Sequence, residues 1–105
     1  MNYPPYSDII SVGFTAADDD TAMAYAEAFR NRLTGLRSAP EGAVVMRPRF
    51  DERRTDGKSR AVFLIKAPQG SRAGYVSEYM VFRDRMTESK APAFIEIDVN
   101  PYGMI

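Results

Sequence analysis

Residues 8–15, DIISVGFT, alternate between two sides. Ile10, Val12 and Phe14 fall on one, and Ile9, Ser11 and Gly13 on the other. A period of two predicts a strand with one apolar face. The period then changes. Across AADDDTAMAYAEAFRNRLTGL, residues 16–36, the positions Ala22, Tyr25, Ala26, Phe29 and Leu33 form one stripe at helical spacing. Asp18, Asp19 and Asp20 offer an N-cap and negative charge at the positive end of the helix dipole. Gly35 occupies the place where a left-handed residue often closes a helix.

Residues 46–66, MRPRFDERRTDGKSRAVFLIK, predict a strand pair closed by Asp56-Gly57, since a type I′ turn needs positive φ at both central positions. That turn sets Thr55 opposite Lys58, Arg53 opposite Arg60, Phe50 opposite Phe63, Pro48 opposite Ile65 and Arg47 opposite Lys66. One face then carries Val44, Met46, Pro48 and Phe50 against Ala61, Phe63 and Ile65, all apolar. Pro48 has no N–H for a ladder, so its strand belongs at a sheet edge. A second helix is expected over residues 72–88, with Ser71 as N-cap and Val76, Tyr79, Phe82 or Val81, and Met86 facing inward; Gly74 weakens its first turn. In residues 93–99, AFIEIDV, Ile95, Ile97 and Val99 point inward and Phe94, Glu96 and Asp98 outward.

The order of elements is β-α-β-β-α-β. With right-handed crossovers it predicts an α+β, ferredoxin-like βαββαβ fold: a four-stranded antiparallel sheet, strand order 4-1-3-2, with two helices on one face. The 105 residues suit one domain spanning 1–105, with residues 1–7 as an N-terminal arm and 100–105 as a C-terminal tail.

Composition narrows the chemistry. The chain has no Cys and no His. Thiolate nucleophiles, thiolate metal centres and His-containing triads are therefore excluded, and with them the commonest general base. Asp18-Asp19-Asp20 lacks the spaced oxygen ligands of a calcium loop and is better explained as a helix cap. No enzyme activity, cofactor or metal is expected. No apolar run approaches the ~18 residues of a membrane span, and the N-terminus lacks the pattern of a signal peptide. A cytoplasmic location without membrane contact is the expectation.

Charge is balanced, with 14 basic and 14 acidic residues, so any charged surface must come from uneven distribution. The predicted helix-free face gathers Arg47 and Arg49 with Arg53, Arg60 and Lys66 across the hairpin, and Arg54 and Lys58 extend its tip. Val62 and Leu64 lie in the middle, and Phe94 lies beside the acidic Glu96 and Asp98. Such a face suits a protein partner, as in an inhibitor or adaptor, engaged through Arg47, Arg49, Arg53, Arg54, Lys58, Arg60, Val62, Leu64, Lys66 and Phe94. Two copies related by a twofold axis could also meet there as a homodimer, basic hairpin to acidic strand.

The alternative ligand is single-stranded nucleic acid, held through phosphate contacts by the arginines. The topology resembles the RNA recognition motif, which stacks bases on aromatics of its first and third strands. In this chain GKSRAVFLI and IISVGF occupy those strands, with Arg60, Val62, Ile9 and Ser11 outward instead of aromatics. A face-to-face pair of such sheets resembles the dimeric α+β-barrel proteins, which implies an architecture and no chemistry. A solvated charged face that only blocks edge aggregation is the plainest explanation.

Overall fold

The computed structural model describes residues 8–36, 42–51, 57–68 and 70–99. The expected N-terminal arm and C-terminal tail lie outside the described residues, as do Arg53, Arg54, Thr55 and Asp56. The chain is α+β. Its elements are β1 (Asp8–Ala16), α1 (Asp19–Thr34), β2 (Val44–Val45), β3 (Arg49–Phe50), β4 (Ser59–Ala67), α2 (Arg72–Glu88) and β5 (Ala93–Val99). The sheet has five antiparallel strands, in the order β2-β4-β1-β5, and β3 also pairs with β4.

The fifth strand corrects the expected four, and its cause is a bulge. Val45 pairs with Ile65 and Arg49 with Val62, so the outer strand advances four residues while β4 advances three. One extra residue splits the expected second strand in two. Pro48 falls inside this break, where its missing N–H costs the ladder nothing. The bulge also exchanges faces. Val45, not Val44, shares the covered side with Ile65 and packs on the core. Val44 pairs with Lys66 and is 53% exposed; Met46 donates its N–H to Leu64 and is 42% exposed. Phe50 pairs with Ala61 rather than Phe63 and stays 41% exposed at the sheet margin. The expected pairings are therefore wrong by two residues at β3 and by three at β2. Gly57 does take positive φ, at 71°.

The core matches the alternation of β1. Ile10, Val12, Phe14 and Ala16 are buried with Ala61, Phe63, Ile65 and Ala67 of β4. Phe14 meets Phe29 of α1 and Phe82 of α2 edge-on, with ring centroids 6.1 Å apart in each case. Both helices therefore cover the same face, and these contacts add to the apolar burial. Helix α1 buries Ala22, Ala26, Phe29 and Leu33, with Tyr25 partly buried. Asp18 caps it by accepting the Thr21 N–H at 2.8 Å, and that hydrogen bond holds the Asp18 carboxyl below its usual pKa.

Three expected helix details change. Gly35 has φ −94° and is not left-handed. The left-handed closing residue is instead Lys90, φ 56°, after α2, where the Ala91 N–H reaches the Met86 carbonyl. Ser71 makes no side-chain cap; its hydroxyl bonds the Pro68 carbonyl, while the Gly70 N–H bonds the Asp8 carboxylate at 2.9 Å. The α2 stripe is Tyr75, Tyr79, Phe82 and Met86, with Tyr75 in the place expected for Val76 and Val81 40% exposed.

Candidate functional site

The face of the sheet away from the helices carries the candidate site. Along β4 the burial alternates strictly. Ala61, Phe63 and Ile65 go to the core; Arg60, Val62, Leu64 and Lys66 go to the open side. Arg49 joins them opposite Val62. Across the sheet, Leu64 faces Ser11 and Asp98 beyond it, while Val62 faces Gly13 and Glu96 beyond it. Arg60 and Phe94 flank Thr15 from either side. The structure thus brings together Arg49, Arg60, Val62, Leu64, Lys66 and Phe94. Arg47 is exposed within the bulge, off the ladder. Arg53 and Arg54 lie outside the described residues.

Arg60 is not a free cation. Its guanidinium crosses the sheet and bonds Glu96 at 3.1 Å, with Asp51 3.5 Å away on the other side. This path exists because Gly13 has no side chain. A Cβ built there would stand 2.5 Å from Arg60 Nη2 and 2.8 Å from its Cζ. The glycine in a central strand therefore marks a close approach, and a glycine within a strand pattern is a signal of this kind in the sequence itself. Its consequence is electrostatic. Arg60, Asp51 and Glu96 largely neutralise one another, so the basic hairpin is less basic than its count of arginines suggests.

Lys58 also finds a partner. Its ammonium lies 5.9 Å from the centroid of the Phe94 ring, a cation–π contact. Phe94 itself is 69% exposed, the most exposed large apolar residue described. Val44 and Met46, assigned to the core by the sequence, join this side through the bulge. The open face therefore carries two apolar areas. One is Val44, Met46, Leu64 and Val62 beside the outer strands, and the other is Phe94 near the far edge. Between them Ser11, Arg60, Glu96, Ile97 and Asp98 line a shallow polar depression of about 250 Å³.

The site offers hydrogen bonds, charge and apolar area. Among the described residues no group of three His, Cys, Asp or Glu side chains converges as metal ligands, and no helix is long and apolar enough to cross a membrane. No protein-family model matches the chain, and no curated protein matches it. The fold does match a solved structure, the de novo designed protein Foldit4, with a TM-score of 0.60 at 8% identity, covering 90% of this chain and 96% of that one. At this identity the likeness concerns the fold alone, and a fold does not imply a function.

Proposed function

We propose that this chain is a non-catalytic binding domain that engages a protein partner, in the manner of an inhibitor or adaptor, or a second copy of itself, through the open face. The observation that carries the proposal is the exposure of Val44, Met46 and Phe94 on the sheet face that neither α1 nor α2 covers. A sheet face bearing apolar residues ordinarily packs against another layer. Exposed apolar groups ringed by charge are the usual mark of a binding surface. The absence of His and Cys supports the non-catalytic part. We also assign the architecture to the ferredoxin-like class. What supports this is that β2 and β3 both pair with β4 and together stand where one strand was expected.

The test uses the purified protein and extract of its native host, with and without nuclease. Phe94→Ala combined with Met46→Ala changes exposed positions, so the fold should survive. A protein retained from nuclease-treated extract by the parent and lost by the double variant supports the proposal. Sedimentation in parallel reports self-association, with the parent heavier than the variant if the partner is a second copy. Retention unchanged by the double substitution would falsify it.

Nucleic-acid binding is the second reading, favoured by the exposure of Arg47, Arg49 and Lys66. It predicts retention only in untreated extract and an affinity that falls steeply with salt. Neutralisation of Arg60 by Asp51 and Glu96 counts against it.

A further inference from the structure

The two edges of the sheet are built differently. The β2–β3 edge is broken by a bulge, carries Pro48 and displays Arg47 and Arg49, all features that discourage strand addition. The β5 edge has neither bulge nor proline, and its charges, Glu96 and Asp98, are acidic. Ala93–Val99 is seven residues of unbroken strand, paired among the described residues on one side only, with β1. Its outer N–H and C=O groups are a template for another strand. On the helix side, Ile95, Ile97 and Val99 are only partly buried, whereas Ala61, Phe63 and Ile65 at equivalent places on β4 are fully buried. Helix α2 packs on this strand but covers it only in part. On the open side stand the carboxylates of Glu96, which is already bonded to Arg60, and of Asp98, which makes no ion pair among the described residues.

We infer that β5 is a strand-addition site for an extended segment of a partner protein in which apolar and basic residues alternate. The basic side chains lie beside Glu96 and Asp98, and the apolar ones extend the helix-covered face beside Ile95, Ile97 and Val99. Main-chain hydrogen bonds supply affinity and the alternating side chains supply selectivity. A second copy of β5 is a poor occupant. Full-length antiparallel pairing with both helix layers on one side sets Glu96 against its own counterpart, and a shift centred on Ile97 sets Glu96 against Asp98. The edge adjoins the open face and shares Glu96 and Asp98 with it, but strand addition uses the outer main-chain groups of β5 and is tested independently of the function proposed above.

The experiment titrates the full chain with a capped nine-residue peptide alternating valine and lysine, followed by calorimetry and amide hydrogen exchange. Two further peptides carry glutamate in place of lysine, or proline in place of two valines. The valine–lysine peptide should bind saturably and slow exchange along β5, the glutamate peptide should not bind, and the proline peptide should bind far more weakly. Asp98→Lys, an exposed change, should weaken the valine–lysine peptide about fivefold, the size of one cross-strand charge pair. Equal binding of the proline peptide would mean bulk charge attraction without strand pairing and would overturn the inference. So would equal binding of the glutamate peptide, protection falling on β2 and β3, or no saturable binding at millimolar peptide.

Discussion

Helix α1 sinks Ala22, Ala26, Phe29 and Leu33 to 1% exposure or less, whereas α2 buries only Tyr75 and Met86 among its described residues. The difference follows from what each helix can approach. Two alanines on the inner face of α1 let its backbone lie close over β1 and β4, which are flanked by strands on both sides. Helix α2 presents Tyr75, Tyr79, Phe82 and Met86, bulky groups that hold it away, and it packs mainly on the edge strand β5. It also lacks a side-chain N-cap and closes on a left-handed lysine. The β1–α1–β4 part thus holds most of the tightly packed core, and α2–β5 is the looser part. The looser part borders the edge proposed to accept a strand.

The largest effect tests that division directly. Phe29→Ala removes a ring that touches Phe14, Phe63 and Phe82, and should lower unfolding stability by about 3–5 kcal/mol in urea titration. Met86→Ala should lower it by about 2 kcal/mol, the low end for a buried side chain, because the looser surroundings can collapse. Equal losses at both positions would break the comparison.

A smaller effect concerns the Tyr75 hydroxyl, which is buried with no hydrogen-bond partner among the described residues. Tyr75→Phe removes an unsatisfied polar group, so stability at neutral pH should hold or rise by about 1 kcal/mol. Burial raises the Tyr75 pKa above its ordinary 10.0. The folded state therefore favours the neutral phenol. That contribution is fully present below the unfolded pKa and is lost as pH rises through it toward the folded value. The parent should lose stability above about pH 10 more steeply than the Tyr75→Phe variant, as read from urea midpoints across that range. Parallel curves would show that the hydroxyl reaches water or a partner.

The smallest effect is at the end of α2. Lys90→Gly relieves a side chain held in left-handed backbone, less the extra freedom glycine brings to the unfolded chain. The midpoint of thermal unfolding should rise, by the equivalent of about 0.5 kcal/mol. No rise would mean that the lysine stem repays its strain by packing.

Much of this architecture was legible because it rests on local periodicity. The two-residue alternation of β1, β4 and β5 and the 3.6-residue stripe of α1 named their inward residues correctly, Ile10, Phe14, Phe63, Phe29 and Leu33 among them. Helix α2 was legible in extent but rotated by one residue at its start, because Tyr75 and Val76 are both acceptable in a core. The candidate site was half legible. Arg49, Arg60, Val62, Leu64, Lys66 and Phe94 share the open face as expected, but nothing local told that Arg60 was already paired.

By itself, then, the sequence determined the two helices and three long strands and their order, the covered side of each long strand and the exclusion of His and Cys chemistry. Tertiary structure alone decided two things. The bulge between Val45 and Arg49 exchanged Val44 for Val45 at the core, because adjacent valines satisfy either parity and only the partner strand distinguishes them. The neutralisation of Arg60 needed Gly13 and Glu96, far away in the chain, to be set beside it in the sheet. Charge pairing across strands depends on register, and register depends on the packing of the whole face.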